Sequence, residues 1–308
     1  MRILVTGGSG FVGRLLCQRL HRDSHQLLVV SRSPNKARQH LPTGSDIRAR
    51  VLDFSDASPE AIVNLAGEPI AGKRWSEAQK TRLVESRLAI TRELTTLCQN
   101  MPTPPRVMVS GSAMGYYGDQ EQGDQGQGDQ GQRPVDEQTP PHDEFAHRLC
   151  AQWEAAAGEA EKSGVRVALM RTGLVLDADG GALQKMLLPF KLGLGGRIGD
   201  GRQFMPWIHR EDLVRIIEFL LAQESLAGAF NASAPQPVTN AEFSRTLAQH
   251  LNRPAALPVP APLLKLALGE MSRLLLTGAD MRPRRLEEAG FTFNYPTLDE
   301  ALTAILGK

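Results

Sequence analysis

The sequence predicts an α/β protein in which a doubly wound parallel sheet is followed by a smaller C-terminal lobe. Three observations predict this fold class. Short runs rich in branched apolar residues alternate with segments of helical period, a glycine-rich turn follows the first run, and glycine and proline become frequent after about residue 172. Strands separated by helices at this spacing require crossover connections, and hence parallel strands that are covered on both faces.

Six runs are predicted as strands. They lie at residues 2–6, 25–30, 49–54, 61–66, 106–110 and 165–171. The clearest helix between them is Glu77–Gln99, because its apolar residues from Leu83 to Leu97 recur on one face. Arg87 lies near that face. Because a buried guanidinium needs a partner, we expect Arg87 either to form a structural ion pair or to face a ligand cleft.

The composition excludes several classes of partner. Thirty-five Lys and Arg residues balance thirty-four Asp and Glu residues, so no overall charge favours nucleic acid or an anionic membrane. No apolar run approaches membrane-spanning length and no secretory signal pattern opens the chain, so we expect a cytoplasmic protein. Cys17, Cys98 and Cys150 are far apart and in no metal-ligand spacing, so we expect buried thiols and no metal.

The glycine-rich turn "VTGGSGFVG" (5–13) predicts a dinucleotide site. It follows the first strand and opens the first helix, and it satisfies both the G-x-x-G-x-x-G and the G-x-G-x-x-G spacing. Glycines allow backbone N–H groups to approach a pyrophosphate closely, and the N-terminus of the helix favours its negative charge. The predicted contacts on this turn are Gly7, Gly8, Ser9, Gly10, Phe11, Val12 and Gly13.

The end of the second strand indicates which cofactor binds. An acidic residue there would hold a ribose 2′-hydroxyl, but the sequence reads "SRSPNK" (31–36) without a carboxylate. Ser31 and Arg32 instead suit a 2′-phosphate, because a guanidinium forks onto phosphate oxygens. The sequence therefore favours NADP(H) over NAD, with a solvated Arg32 as the alternative.

Two further strand ends are predicted to meet the cofactor. Asp53 ends the third predicted strand, where its carboxylate would accept from an adenine amino group or would cap the next turn. "NLAG" (64–67) ends the fourth, where Ala66 and Gly67 let the backbone lie against the cofactor. Leu65 in the same segment is also a predicted cofactor contact.

Residues 118–132 repeat a pentapeptide, "GDQEQ", "GDQGQ", "GDQGQ". Without apolar residues this segment buries too little surface to offset its ordering entropy, which predicts a solvated loop. Because it follows a strand end, a lid over the site is the alternative.

Motifs spread along nearly the whole chain carry a family resemblance. They are "TGGSGFVG", "NLAGEPIAGKRW", "SAMGYYG", "WEAAA", "LMRTG", "GGALQKMLLPFKLGLGG", "QFMPWIH", "FNASAP" and "RPRRLEEAGFTFNYP". This pattern resembles the extended short-chain dehydrogenase/reductase superfamily, and more narrowly its epimerase-like branch, whose members carry a C-terminal extension of unassigned function. The repeat departs from that branch, in which a shorter loop is expected.

The resemblance implies a domain organisation and a class of reaction. Residues 1–172 would form an NADP-binding Rossmann domain to which about 207–235 return, and 173–308 a smaller substrate-binding lobe with the extension. The substrate would be a small molecule, either nucleotide-sugar-like or another carbonyl or carbinol compound, and a homodimer is plausible. Ser112 matches the hydroxyl that binds a substrate carbonyl in the superfamily.

The catalytic pair of that superfamily is absent. A Tyr-x-x-x-Lys pair supplies the general acid/base and the ammonium that lowers its pKa, but these positions fall on Phe145 and Leu149. A shift of one residue offers Glu144 and Arg148, of which the arginine would act only as a fixed charge.

Substitute groups must come from elsewhere. Tyr116 or Tyr117 would supply a phenol beside Ser112, although a tyrosine pair flanked by glycines also packs a turn. For substrate binding the candidates are Arg87, Arg202, Gln203 and His209, with a structural role as the alternative for His209.

Two hypotheses follow: an NADP-dependent epimerase or oxidoreductase, and a non-catalytic NADP(H)-binding sensor or scaffold.

Overall fold

A seven-stranded parallel sheet organises the first three quarters of the chain in the computed structural model, which describes residues 1–120, 134–255 and 257–307. The strands are β1 (Arg2–Thr6), β2 (Gln26–Val30), β3 (Asp46–Arg48), β4 (Ala61–Asn64), β5 (Val107–Ala113), β6 (Arg166–Thr172), β7 (Leu174–Asp177), β8 (Phe204–Met205), β9 (Trp207–His209), β10 (Gly228–Ala232) and β11 (Val238–Thr239). The helices are α1 (Phe11–Arg22), α2 (Pro34–Ala37), α3 (Glu77–Asn100), α4 (Phe145–Gly158), α5 (Gly181–Lys191), α6 (Arg210–Ala222), α7 (Asn240–His250), α8 (Ala261–Leu268), α9 (Arg273–Leu276), α10 (Arg284–Glu288) and α11 (Leu298–Leu306).

The order of the strands is β10-β6-β5-β4-β1-β2-β3, and every pair in this sheet is parallel. The order reverses between β1 and β4, which is the switch point where open α/β sheets bind ligands beyond the carboxyl ends of their strands. The predicted doubly wound fold is confirmed.

Alternate residues of each strand enter two cores on opposite faces of the sheet. Ile3 and Val5 pack with Leu16 of α1 and Ile216 of α6 on one face, whereas Leu4 of the same strand packs on the other. The second face is covered by α3 and α4, and α3 begins where its predicted range begins. Such burial on both faces explains why the strand sequences are almost continuously apolar.

The third predicted strand is wrong in position. Residues 49–54 were expected to be extended, but β3 spans Asp46–Arg48 and residues Val51–Phe54 form a 3-10 helix. A capping box closes this turn, because Asp53 accepts from the backbone N–H of Arg50, and Val51 and Phe54 are both buried. Local capping therefore outweighs the β-propensity of the run.

The C-terminal half builds a third core and returns to the sheet. β7 pairs with β9, β8 pairs with β11, and Trp207, Phe243, Leu247 and Leu302 are buried together. β10 adds the seventh strand beside β6. In the part of the chain that the structure describes, no helix is long and apolar enough to cross a membrane.

The outer edge of β10 contacts α10 and the segment before α4. Arg285 donates from Nη1 to the carbonyl oxygen of Ala229 at 2.6 Å and from Nη2 to that of Ala227 at 2.8 Å. The backbone N–H of Asn231 donates to Oε1 of Glu137 at 2.9 Å. Side chains thus bind backbone groups along the free edge of this strand.

Candidate functional site

The glycine-rich turn lies between β1 and the start of α1, at the carboxyl edge of the sheet. Gly7 has φ +71°, and its carbonyl oxygen accepts from the N–H of Gly10 at 2.9 Å. A Cβ at Gly13 would lie 2.2 Å from that same oxygen, and one at Gly7 would lie 2.8 Å from the Leu65 carbonyl carbon. The turn therefore has no room for side chains at these positions, and it lies directly against the segment that follows β4.

The first turn of α1 is available to an anion. Among the residues that the structure describes, no side chain caps this helix at Gly10, and its first turn holds no acidic residue. The N–H groups at the start of the helix, from Phe11 to Gly13, together with the positive end of the helix dipole, suit a pyrophosphate. Ser9 and Gly10 are exposed beside them, so the donors and the open backbone fit the phosphate group of a dinucleotide.

The residues after β2 and β3 differ in their availability. Arg32 is exposed, and among the described residues it has no hydrogen bond or ion pair, so its guanidinium fits a 2′-phosphate. Ser31 accepts at Oγ from the N–H of Ser33 at 3.3 Å. Asp53 is bound to Arg50, and this side-chain hydrogen bond lowers the pKa of Asp53. Asp53 thus caps the turn formed by Val51–Phe54.

A buried polar cluster, missed by the sequence reasoning, holds the 65–67 segment in place. Thr6 Oγ1 donates to Asn64 Oδ1 at 2.7 Å and accepts from the N–H of Ala66 at 3.3 Å. Asn64 Nδ2 in turn donates to Thr91 and Ser110. Polar residues inside the apolar strand runs were the available signal for this cluster.

Arg87 of α3 directs its guanidinium to the space beside Gly67 and Trp153 of α4. Its Nη1 donates to the carbonyl oxygen of Leu83 at 2.9 Å and its Nη2 to that of Glu68 at 3.0 Å, while its guanidinium carbon lies 5.2 Å from the ring centre of Trp153. Within residues 1–120, 134–255 and 257–307 no carboxylate forms an ion pair with it, and burial lowers its pKa. Backbone carbonyls therefore take the place of the expected ion-pair partner.

The two helix positions that would carry the catalytic pair pack against one apolar cluster, and the Lys80 ammonium lies 5.3 Å from the centre of the Phe145 ring. Phe145 meets the ring of Trp75 edge to face at 4.9 Å between ring centres, and Leu149 is buried in the same cluster with Leu83 and Met271. Neither side chain contains a polar atom, so α4 supplies no side-chain proton donor at these two positions.

Ser112 lies on β5 and is 4% exposed. Its hydroxyl donates to Oε1 of Glu154 on α4 at 2.6 Å. Glu154 also binds Arg171 of β6 through both carboxylate oxygens. The sequence analysis assigns no role to Glu154 of "WEAAA" or to Arg171 of "LMRTG". A charged residue on the inner side of a helix, and another on a buried strand, were the available signal for a buried ion pair.

The two tyrosines after β5 have different surroundings. Tyr117 is fully buried, its hydroxyl donates to Asn231 Oδ1 at 2.6 Å and accepts from Arg171 Nη1 at 3.1 Å, and burial raises its pKa to about 12. The Tyr116 ring lies over the Arg171 guanidinium at 3.3 Å and contacts His147 edge to face. Among the described residues the hydroxyl of Tyr116 has no hydrogen-bond partner.

The three substrate-binding candidates of the C-terminal half lie apart from this network. Gln203 is buried and donates its amide to the carbonyl oxygens of Ile198 and Leu275. Arg202 is exposed on the preceding turn. His209 caps α6 by accepting from the N–H of Glu211 at 3.1 Å, its ring lies 3.9 Å from that of Tyr295, and burial lowers its pKa.

A cavity opens where the end of β5, the first turn of α4 and residues 270–279 meet. Its apolar lining includes Trp75, Met114, Phe145 and Leu274, and its charged lining consists of Glu144, Glu270 and Arg273. Residues 121–132 of the repeat, for which a lid is the alternative interpretation, lie outside the described residues.

Comparison with known proteins adds the following findings. Residues 3–232 match the model of the NAD dependent epimerase/dehydratase family, and residues 259–305 match a domain of unknown function, DUF1731. The chain is 39% identical over 313 residues to the chloroplastic epimerase family protein SDR39U1 homolog of Arabidopsis thaliana, covering 99% of this chain and 87% of that one. It is 37% identical to human epimerase family protein SDR39U1 over 99% of this chain and all of that one.

Solved structures show the same likeness. The crystal structure of human SDR39U1 (isoform 2) with NADPH superposes with a TM-score of 0.86 at 34% identity, covering 100% of both chains. The UDP-glucose 4-epimerase of Thermotoga maritima, solved with UDP-glucose, superposes with a TM-score of 0.77 at 18% identity over 100% of this chain and 98% of that one. At that identity the second likeness is one of fold.

Proposed function

The chain belongs to the NAD dependent epimerase/dehydratase family, and we propose that it binds NADP(H) at the carboxyl edge of its sheet and moves hydride to or from a carbonyl or carbinol carbon. The observation that carries the proposal is the glycine turn, which is closed to any side chain at Gly7 and Gly13 and leaves the first turn of α1 open to a pyrophosphate.

The choice of NADP(H) is supported by Arg32. Its guanidinium is exposed after β2 and forms no hydrogen bond or ion pair in the described part of the chain, so it is available to a 2′-phosphate. Human SDR39U1, a relative at 34–37% identity, was crystallised with NADPH. In our proposal residues 1–172 with 207–235 hold this cofactor, and the remainder of 173–308 shapes the pocket for a small-molecule substrate.

A fluorescence titration with NADPH and NADH tests this proposal. The wild-type protein should bind NADPH more tightly, and Arg32→Ala should raise the Kd for NADPH about 10- to 100-fold while leaving that for NADH unchanged. Arg245→Ala, which removes an exposed arginine on α7, is the matched control. Equal affinity of the wild type for both cofactors would refute the Arg32 assignment, and binding of neither would refute the cofactor site.

A second candidate function, a non-catalytic NADP(H)-binding sensor or scaffold, is favoured by one specific observation. The side chains of Phe145 and Leu149 pack in one apolar cluster, in which Phe145 meets the ring of Trp75 edge to face. Under this alternative the double variant Phe145→Tyr, Leu149→Lys should gain carbonyl reduction that the wild type lacks. Measurable turnover by the wild type itself would exclude the alternative.

A further inference from the structure

The charged cavity beside Phe145 is the strongest candidate for a substrate pocket. It lies at the carboxyl end of β5, between Met114, the first turn of α4 and the C-terminal residues 270–279. This is the edge at which the proposed cofactor site lies, and open α/β sheets place their ligands there. The cavity includes the position where the acid/base tyrosine of related enzymes would stand, now occupied by Phe145.

The lining indicates the class of substrate. Trp75, Met114, Phe145 and Leu274 form an apolar wall, and Arg273 is the one cation among the described lining residues. Arg273 already binds Glu144 at 2.8 Å, and the other lining carboxylate, Glu270, binds Lys80 at 2.5 Å. With its cation already paired and a volume of about 40 Å³, the cavity does not suit a diphosphate, whereas a small apolar body would fit against the wall.

We propose that this cavity takes a carbonyl compound with an apolar body, and that Glu144 exchanges a proton with the carbonyl oxygen of that compound. Glu144 lies one residue before the position of the missing tyrosine. Glu144 lines the cavity and directly precedes Phe145, the residue at that position, at the N-terminus of α4. Ser112 and Tyr117 are engaged by Glu154 and Asn231, and Tyr116 does not line the cavity. This inference rests on the proposed function.

The surroundings of Glu144 favour the protonated form of its carboxyl group. Its side chain is 18% exposed, and burial raises the pKa of the carboxyl. Asp119 and Glu270 add to this rise through their negative charge, while Arg273 opposes it by its charge and its hydrogen bond. Arg273, 39% exposed, is placed to stabilise the carboxylate once the proton has left.

The chemistry that NADPH supplies when bound is a hydride, with its electron pair, for a carbonyl carbon. Glu144 gives its carboxyl proton to the carbonyl oxygen, which receives the electron pair of the breaking C=O π bond. One C–H and one O–H bond form, the carbonyl is reduced to an alcohol as the nicotinamide is oxidised, and water later returns a proton to the Glu144 carboxylate. In the reverse direction Glu144 removes the proton from the alcohol.

The test compares wild type, Glu144→Gln and the control Asp143→Asn, which changes the neighbouring exposed carboxylate. NADPH binding is titrated by fluorescence, and reduction of two small aldehydes, propanal and benzaldehyde, is followed across pH. Independently of activity, infrared difference spectra of the cofactor-free protein follow the titration of carboxyl groups. We expect Glu144→Gln to bind NADPH normally, to lose at least about 100-fold in kcat, and to lack one carboxyl that titrates above the 4.5 of an ordinary glutamate.

The outcomes separate this inference from the proposed function. Reduction by the wild type should decline as pH rises through the raised pKa, because the protonated carboxyl is the active form. Wild-type rates in Glu144→Gln, or an unchanged set of titrating carboxyls, would overturn the role of Glu144. Wild-type protein that binds NADPH but reduces neither probe would overturn it also, whereas protein that fails to bind NADPH would overturn the proposed function.

Discussion

Arg171 and Glu154 form a buried two-point ion pair. Nε of the arginine donates to Oε1 of the glutamate at 2.9 Å and Nη2 donates to Oε2 at 3.0 Å, and the two side chains are 5% and 10% exposed. The pair joins β6 to α4 and also binds the hydroxyls of Ser112 and Tyr117. It therefore fixes the position of the helix that carries Phe145 relative to the sheet.

Removal of one member of this pair should strongly destabilise the protein. Glu154→Ala leaves the Arg171 guanidinium buried without a counter-charge, which costs about 3–5 kcal/mol in the free energy of unfolding. The exposed pair Lys162–Glu159 is the control, and Glu159→Ala should cost less than about 1 kcal/mol. Urea unfolding followed by circular dichroism measures both, and equal losses would contradict the prediction.

The two tyrosines should respond differently to loss of their hydroxyls. Tyr117→Phe removes the donor to Asn231 and the acceptor from Arg171, so it should lower the free energy of unfolding by about 1–3 kcal/mol. Tyr116→Phe removes no hydrogen bond within the described residues and should leave stability nearly unchanged. If Glu144 carries the proton, Tyr116→Phe also keeps its turnover of the probe aldehyde. Turnover lost without a loss of stability would instead assign the proton to Tyr116.

The glycine turn permits a comparison of two glycine-to-alanine changes. Gly13→Ala places a Cβ 2.2 Å from the Gly7 carbonyl oxygen, so the turn must move and NADPH affinity should fall at least about tenfold. Gly158→Ala, near the end of α4, meets no atom within 4 Å and should stabilise the protein by about 0.4–1 kcal/mol. Fluorescence titration measures the change in NADPH affinity, and calorimetric unfolding measures the change in stability. Normal NADPH affinity in Gly13→Ala would show that the turn does not hold the cofactor.

His209 makes stability depend on pH in a defined direction. Burial lowers its pKa from the 6.5 of an ordinary histidine, although Asp212, Glu211 and Asp177 oppose this by their charge. The unfolded state then binds more protons, so the stabilising contribution is present above pH 6.5 and is lost as pH falls below it toward the lowered pKa.

His209→Asn keeps an N-cap for α6 and removes this titration. Urea unfolding at a series of pH values should show that the variant loses less stability than the wild type between pH 6.5 and more acidic conditions. A variant whose stability falls as steeply as that of the wild type would contradict the assignment to His209.

The fold and the family were predictable because they depend on local patterns. Apolar runs, helical period and the glycine spacing each act within a few residues, and the predicted fold class and family resemblance are confirmed. The third strand shows the limit of this reasoning. The run 49–54 forms a turn closed by a capping box between Arg50 and Asp53, an interaction that a propensity argument does not weigh.

The candidate site was less accessible to sequence reasoning because its partners are distant along the chain. Arg273 meets Glu144 across 129 positions, and Tyr117 meets Asn231 across 114. The packing of Phe145 against Trp75 likewise depends on the tertiary fold. Ser112, Tyr116 and Tyr117 remain predictions as catalytic groups, since the residue types alone do not show which hydroxyls the fold engages.

The contacts between Arg285 and β10 bear on the behaviour of the protein at high concentration. A strand at the end of a sheet offers unpaired N–H and C=O groups to any neighbouring chain, which invites aggregation by strand addition. Arg285 occupies the carbonyl oxygens of Ala227 and Ala229, and Glu137 occupies the N–H of Asn231. Through Arg285, the C-terminal extension covers the free edge of β10. Chains shortened before α10 should therefore self-associate even where the sheet itself still forms.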